Sequence, residues 1–193
     1  MQAPARSNRD RTEKTRSALI QAARALFVAK GYADTSTPEI VAAAGITRGA
    51  LYHHFEDKRA LFRAVVRDEA QAVAQDIERK APTGLAPVAA LLAGSAAYLD
   101  AMRVPGRTRL LLIEGPSVLG LAEMKALDED TAARTLAEGL QAAMAPDAGS
   151  PLAALTDLLS AAFDRAALAI EAGSSAEAYS TAIALMIRGL AGG

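Results

Sequence analysis

The 193-residue chain contains no cysteine and no tryptophan, and only 4% of its residues are aromatic. Without cysteine the chain cannot form disulfide bonds or thiolate metal sites, and nothing indicates an oxidising compartment. With so few aromatic side chains, the core must be built mainly from Ala, Leu, Val and Ile, a composition that favours helices.

Long apolar runs are also missing. The longest apolar stretch, residues 85–99, is interrupted by Pro87, Gly94 and Ser95, and it is shorter than the ~18 apolar residues that a membrane-spanning helix needs. Residues 1–16 are polar and basic and contain no apolar signal region. We therefore expect a soluble, cytoplasmic protein without a membrane partner.

No run of alternating apolar and polar residues predicts a β-strand, and the expected fold is all-α with about nine helices. A first helix is predicted over residues 11–30, because its apolar residues recur at helical spacing along one face. After a long helix that begins near Asp57 and ends near Lys80, glycine and proline residues separate further helices. These are predicted at residues 85–102, 107–114, 121–144, 151–172 and 175–190.

The segment that begins at Ser36 has the spacing of two short helices around a tight turn. Ser36 and Glu39 stand at capping-box spacing, which predicts a helix start. Gly45 supplies the left-handed conformation that ends this helix. Thr47 then caps a second short helix over residues 48–55. This arrangement predicts a helix-turn-helix.

The outer surface of the second short helix combines very small residues with hydrogen-bond donors. Gly49 and Ala50 allow the backbone to approach base edges, and Arg48 matches the acceptor pair of guanine in the major groove. Other polar side chains suit phosphates. An ordinary helical hairpin is the alternative, but the joint spacing favours DNA binding. The predicted DNA-binding residues are Ser36, Thr37, Thr47, Arg48, Gly49, Ala50, Tyr52, His53 and Lys58.

Residues 12 to about 65 resemble the N-terminal domain of the TetR family of bacterial transcriptional regulators. The resemblance implies a three-helix DNA-binding domain joined to a larger helical domain for ligand binding and dimerisation. It departs at Val41, where members usually carry alanine, so base preference is carried over less directly than function. The matching residues are Thr15, Arg16, Leu19, Ala22, Ala23, Leu26, Phe27, Lys30, Gly31, Tyr32, Thr35, Ser36, Glu39, Ile40, Ala44, Gly45, Ile46, Thr47, Leu51, Tyr52, His54, Phe55 and Lys58.

Charge is distributed unevenly along the chain. Residues 1–80 hold 14 Lys and Arg against 10 Asp and Glu, whereas residues 81–193 hold 7 against 12. The basic half is therefore the half with the DNA-binding pattern, as attraction to phosphates requires. The domains that we expect are a flexible basic arm over 1–10, a helix-turn-helix domain over 11–58, a connecting helix over 59–80 and a ligand-binding and dimerisation domain over 81–193.

The last two predicted helices are apolar around more than one face, which requires burial on more than one side. One face can serve the chain's own core and the other a second copy, which favours a homodimer over a buried helix pair inside a monomer. The resemblance implies the same pairing. The predicted interface residues are Leu158, Ala162, Ala166, Ile170, Tyr179, Ala182, Ile183 and Met186.

The middle helices carry more apolar residues than a tight bundle needs, which predicts an effector pocket, although each such residue taken alone is typical of an ordinary core. Glu114 ends an apolar run, and Gly115 and Pro116 then break the helix. The predicted pocket is mainly apolar. Its expected lining residues are Tyr98, Met102, Leu111, Glu114, Leu119, Met124 and Phe163.

No motif indicates an enzyme, a metal or a cofactor. His53 and His54 are adjacent on a helix and point in different directions, so they cannot jointly hold a metal. An acidic group that includes Asp128 lacks the order of a calcium loop and is interpreted as a solvated helix face. The predicted function is a repressor released from a palindromic operator by a small effector. A DNA-binding or architectural protein without a ligand, and a helical enzyme that retains the domain as a relic, are the alternatives.

Overall fold

The computed structural model describes residues 5–80, 84–144 and 151–191 of the chain. Within these ranges the chain forms ten α-helices and one π-helical segment and no β-strand, which confirms the expected all-α class. The α-helices are α1 (Ala5–Lys30), α2 (Thr37–Ala44), α3 (Arg48–His54), α4 (Lys58–Lys80), α5 (Pro87–Met102), α6 (Gly115–Leu119), α7 (Leu121–Glu129), α8 (Ala132–Ala143), α9 (Leu152–Glu171) and α10 (Ala176–Ala191).

Three element boundaries differ from the sequence-based expectation. Helix α1 already begins at Ala5, so residues 5–10 are helical and not part of a flexible arm; residues 1–4 lie outside the described part. The helix expected over 121–144 is divided at Thr131, whose hydroxyl donates to the carbonyl of Leu127 at 2.7 Å where the chain turns. The loop expected after it falls on residues outside the described ranges.

The third difference is the segment Arg109–Glu114, which forms a π-helix where an α-helix was expected. The chain then continues directly into α6, so the prediction that Gly115 and Pro116 break the helix was wrong. Its last turn closes with a hydrogen bond from the backbone N–H of Gly115 to the carbonyl of Leu110, five residues back. A Cβ atom at Gly115 would approach that carbonyl oxygen to 2.9 Å. Glycine is therefore needed for this wide turn. Pro116 follows in the first turn of α6, where proline is tolerated because a backbone N–H at this position would have no partner within that helix.

One apolar core joins the first three helices to the rest of the molecule. Phe27 of α1 and Phe62 of α4 are fully buried and meet edge to face, with ring centroids 5.2 Å apart. Buried residues continue along α4 as far as Ile77, and the same cluster takes in Leu110 and Leu111 of the π-helix. Helix α4 thus shares one core with the N-terminal helices and with the π-helix.

A second apolar cluster holds α5, α8, α9 and α10 together. Its central side chains include Leu91, Leu140, Leu159, Phe163 and Ile187. None of the helices in the described ranges is long and apolar enough to cross a membrane.

Candidate DNA interface and ligand cavity

The start of α2 is fixed by a capping box. The Ser36 hydroxyl oxygen accepts the backbone N–H of Glu39 at 3.4 Å, and the Glu39 carboxylate accepts the Ser36 N–H at 2.9 Å. The hydrogen bond from Lys30, followed by those from Ser36, lowers the pKa of Glu39 to about 2. At the other end of α2, Gly45 has a φ of 65° and adopts the left-handed conformation that the sequence predicts.

Helix α3 presents one face to the core and the other to solvent. Thr47 caps it by accepting the backbone N–H of Ala50 at 3.3 Å. Leu51 is fully buried and anchors the helix, whereas Thr47, Arg48 and Gly49 are exposed and Ala50 is half-buried. This is the orientation that a recognition helix needs, because its outer face is free to enter a groove.

Gly49 has no packing reason inside the chain. A Cβ atom built there meets no atom within 4 Å, so a larger residue would fit the folded protein. The fold therefore does not require a glycine here, and the close approach of DNA stays a prediction from the sequence.

Tyr52 lies on the same outer face and is held by its neighbours. Its ring is 44% exposed, and the guanidinium carbon of Arg48 lies 5.5 Å from the ring centroid. Hydrogen bonds from Arg48 and then Thr37 lower the pKa of the Tyr52 phenol. The first residue of α2 and the first residue of α3 therefore position this side chain together. Two of the other predicted contacts, Ser36 and His53, are also exposed.

Lys58 is half-buried and is engaged by groups of its own chain. Its Nζ donates to the backbone carbonyls of Tyr32 and Thr35, each at 2.9 Å, and lies 4.2 Å from the centroid of the Tyr32 ring. The ammonium thus caps the turn between α1 and α2 from inside the domain. The phosphate role of Lys58 stays a prediction, and these contacts, with residues more than 20 positions away along the chain, add a structural role that the sequence did not show.

A cavity of about 850 Å³ lies between α4, α5, α7, α8, α9 and the π-helix. This volume is in the range of pockets that hold drug-sized molecules. Four of the seven residues predicted for the pocket line it, namely Tyr98, Met102, Leu111 and Met124.

The other three predicted pocket residues lie elsewhere. Leu119 is buried in the core that faces α4, and Phe163 stands behind Tyr98, with ring centroids 5.3 Å apart. Glu114 points towards the turn after α1, where its carboxylate accepts the backbone N–H of Tyr32 at 3.1 Å. Helical spacing places such residues on an element but does not show which neighbour each face meets.

The cavity also contains acidic groups that sequence reasoning missed. The Tyr98 hydroxyl donates to Asp164 at 2.7 Å, and the Ser160 hydroxyl donates to Asp128 at 2.9 Å. Burial, and secondarily the charge of Asp128, raises the pKa of Asp164 to about 6. Burial also raises the pKa of Asp128. The interpretation of Asp128 as part of a solvated helix face was therefore wrong.

The π-helix contacts both the cavity and the end of α1. Leu111 and Leu112 of the π-helix line the cavity, whereas Arg109 and Glu114 of the same segment lie against Gly31. A second link lies close by, where the buried carboxylate of Glu69 accepts hydrogen bonds from Arg24 of α1 at 2.6 Å and from Arg107 at 2.8 Å. These hydrogen bonds lower the pKa of Glu69 despite its burial.

The outward face of α9 and α10 is apolar. Leu158 is 69% exposed and Leu185 is 64% exposed, and Met186 is half exposed beside them. Of the predicted interface residues, Ala182 is also exposed and Ala162 is half-buried.

Two predicted interface residues belong to the chain's own core. Ala166 is 1% exposed and Ile183 is 3% exposed, and both lie in the cluster that holds α5, α8, α9 and α10 together. Ile170 and Tyr179 are half-buried and pack against the same cluster. Helices α9 and α10 each carry apolar residues on a buried face and on an exposed face. The composition of a helix does not show which of its two faces belongs to the chain's own core.

The profile "Bacterial regulatory proteins, tetR family" matches residues 19–65, and the profile "Tetracyclin repressor-like, C-terminal domain" matches residues 88–193. The second match alone spans more than half of the chain. The chain therefore belongs to the TetR family, a family of transcriptional regulators.

The HTH-type transcriptional regulator AcrR of Shigella flexneri is 43% identical over 61 residues, which cover 32% of this chain and 28% of that protein. The chain thus spans less than a third of the length of this curated relative. A solved TetR-family transcriptional regulator from Pectobacterium atrosepticum is 29% identical with a TM-score of 0.70, covering 94% of this chain and 96% of that one. The TetR-like regulator LfrR of Mycobacterium smegmatis, solved with proflavine, is 24% identical with a TM-score of 0.62, covering 91% and 94%.

Proposed function

We propose that the chain is a transcriptional repressor that binds operator DNA through α3 and acts in the cytoplasm. The observation that carries this proposal is the outer face of α3, where Arg48, Gly49 and Tyr52 are exposed on a helix capped at Thr47 and anchored by Leu51. Arg48 has the donor geometry for guanine, and Gly49 allows close approach of the backbone. Helices α1–α3 form the DNA-binding domain, α4 connects it, and α5–α10 form the second domain.

The remaining contacts follow from the position of each side chain. Ala50 and His53 flank the residues that face base edges. Ser36, Thr37 and Thr47 lie at the two helix starts, where hydroxyl groups and free backbone N–H groups suit phosphates. The contacts of Lys58 favour a role in which it supports this surface from behind over the predicted phosphate contact.

The regulator works as a homodimer in this proposal. Leu158, Leu185, Met186 and Ala182 form an apolar face on two adjacent helices, and a second copy related by a two-fold axis would cover it. Two α3 helices related by this axis would read an inverted repeat, with half-sites centred about 34–36 Å or a multiple apart.

A small apolar or amphipathic molecule in the cavity would release the operator. Support comes from the π-helix, which lines the cavity through Leu111 and Leu112 and holds the first domain through Glu114. LfrR, of the same fold, was solved with the small molecule proflavine. A ligand that favours one position of this segment shifts the spacing of the recognition helices, and linkage then requires DNA to weaken ligand binding equally.

Fluorescence anisotropy with a labelled duplex tests the proposal. The duplex carries the inverted repeat upstream of the chain's own gene, and a shuffled duplex of equal length is the reference. We expect the wild-type chain to prefer the inverted repeat by about a thousandfold or more. Arg48→Ala should lose preference, whereas Arg79→Ala, an exposed arginine at the far end of α4, should not. Equal affinity for both duplexes would refute the repressor proposal, and specific binding that no cavity ligand alters would leave a ligand-free regulator.

A further inference from the structure

The walls of the cavity are apolar, but its titratable groups are mainly acidic. Leucine and methionine side chains from α5, the π-helix, α7 and α9 are among its lining residues. Among them lie Asp164 of α9 and Asp128 of α7, both half-buried. Among the described residues, Tyr98 donates a side-chain hydroxyl to the first carboxylate and Ser160 to the second, and Asp128 also accepts a backbone hydrogen bond from Ala133.

In the described part of the chain no cationic side chain forms an ion pair with either carboxylate, although the charge of Lys125 acts on Asp128 from the surface. Among the described residues that line the cavity, the cationic side chains are Lys125 and Arg134, and both are exposed to solvent. Lys125 donates to Asp157 at 2.5 Å and to Glu129 at 3.3 Å, so its charge is matched at the surface. An ionised carboxylate inside an apolar space without an opposite charge is unfavourable. A positive charge beside these carboxylates would reduce this cost.

The aromatic ring of Tyr98 strengthens this preference. Its hydroxyl is fixed by Asp164, and Phe163 packs against the ring at 5.3 Å. A cation that sits beside Asp164 also meets the tyrosine, and the ring face attracts positive charge. Two acidic groups repel an anionic ligand by the same electrostatics.

We propose that the cavity selects apolar organic cations, with Asp164 and Asp128 facing the charge and the leucine and methionine walls holding the apolar body. This rests on the proposed function, of which it specifies the effector class. A bare metal ion is a poor occupant, because the described residues contain no group of three or more side chains of the kind that hold a metal.

Three probes of similar shape and different charge test the proposal on the full-length protein. Tetraphenylphosphonium is a permanent cation, tetraphenylborate is its isosteric anion, and triphenylphosphine oxide is a neutral relative. We expect calorimetry near neutral pH to show the cation binding about tenfold or more tightly than either of the others. Comparison among probes needs no variant, so it stays valid even where a substitution disturbs folding.

Isosteric variants locate the charge effect. Asp164→Asn and Asp128→Asn should each lower the affinity for tetraphenylphosphonium by about tenfold and leave the neutral probe nearly unaffected. Asp100→Asn, an exposed acid that pairs with Lys80 and does not line the cavity, is the matched control and should change neither. Equal binding of the three probes, a preference that both variants retain, or no binding of the cation would each overturn the cation proposal.

The outcome for the proposed function is read separately. If the neutral probe or the anion binds in the cavity and releases the operator duplex while the cation does not, the effector class is wrong and the repressor proposal stands. If the protein does not distinguish the operator from shuffled DNA in the absence of any probe, the proposed function itself has failed.

Discussion

The carboxylate of Glu114 accepts a hydrogen bond from the backbone N–H of Tyr32 at 3.1 Å, although the two residues are 82 positions apart. Its other oxygen pairs with Arg109 at 2.8 Å. Glu114 ends the π-helix whose residues Leu111 and Leu112 line the cavity. The six residues of the π-helix therefore contact both the cavity and the turn at Tyr32 that precedes the helix-turn-helix. This connection gives the proposed release a physical route.

Glu114→Ala should weaken the contact between the domains. The substitution leaves the mostly buried Tyr32 N–H without its acceptor and removes the ion pair with Arg109, so we expect a loss of about 1–3 kcal/mol in the free energy of unfolding. Urea denaturation measures this loss. Operator release by a cavity ligand should also become less complete, because the ligand then acts on a segment that no longer holds Tyr32.

Glu129→Ala is the matched control for Glu114→Ala. Glu129 is 60% exposed and pairs with Lys125 at the surface, so its loss should cost less than about 1 kcal/mol and leave the contact between Glu114 and Tyr32 intact. Equal effects of the two variants would show that the Glu114 contact does not connect the domains.

Lys58→Met should reduce stability without changing the ionic component of DNA binding. The substitution leaves the carbonyls of Tyr32 and Thr35 without their donor, which should lower the free energy of unfolding by about 1–3 kcal/mol. A lysine on a phosphate would contribute about one to the slope of log affinity against log salt, and we expect that slope to stay constant. Lys80→Met, which removes a surface pair with Asp100, is the control, and a salt slope lowered by one in Lys58→Met alone would confirm the predicted phosphate role.

Asp164→Asn should stabilise the ligand-free protein at neutral pH. Burial raises the pKa of Asp164 from 3.8 to about 6, so the folded state binds this proton more tightly than the unfolded state. Protonated Asp164 therefore contributes to the free energy of unfolding. This contribution is fully present below about pH 3.8 and is lost as pH rises through about 6, a total loss of about 3 kcal/mol. The asparagine variant carries no such loss.

Thermal unfolding of both proteins between about pH 4 and pH 7.5 checks this sign. The two melting temperatures should be similar at the acidic end, and the variant should be the more stable at the neutral end. Asp157→Asn should show no comparable pH-dependent gain. A variant that is less stable than the wild type at pH 7.5 would mean that the hydrogen bond from Tyr98 outweighs the cost of burying the charge.

Local rules predicted the helix-turn-helix well, whereas long-range contacts escaped them. Ser36 with Glu39, Gly45 and Thr47 act within four residues along the chain, so their spacing is sufficient to predict the caps that the structure shows. Asp128 of α7 comes close to Ser160 and Asp164 of α9 only when these two helices pack together. An acidic residue on a predicted helix gives no sign of this partner.

Periodicity also fails where a helix is apolar on two sides. Ala162 and Ala166 lie one turn apart on α9, yet the first is half-buried and the second is inside the core. Both are alanines on an apolar helix, and only the packing of α5 and α10 distinguishes them. Ala166→Glu would therefore disrupt the fold and would not report on dimerisation.

Leu185→Glu should separate the proposed dimer. The side chain is exposed on the apolar face of α10, so glutamate leaves the chain's own core intact and places two like charges near the two-fold axis. Sedimentation should change from twice the 20.0 kDa chain mass to the chain mass, and operator affinity should fall with it. Ile113→Glu, on an exposed position of the π-helix, should remain dimeric. A Leu185→Glu protein that still sediments as a dimer would place the interface on another face.

Selection from a random duplex library is the most direct test that α3 reads DNA as half of a two-fold pair. We predict that the wild-type protein enriches an inverted repeat with half-sites centred about 34–36 Å or a multiple apart. Arg48→Ala should enrich the same repeat with preference relaxed by about 1–3 kcal/mol at one base position in each half-site, whereas Arg79→Ala should match the wild type. No enrichment, or an enriched sequence without two-fold symmetry that Arg48→Ala leaves unchanged, would contradict the account.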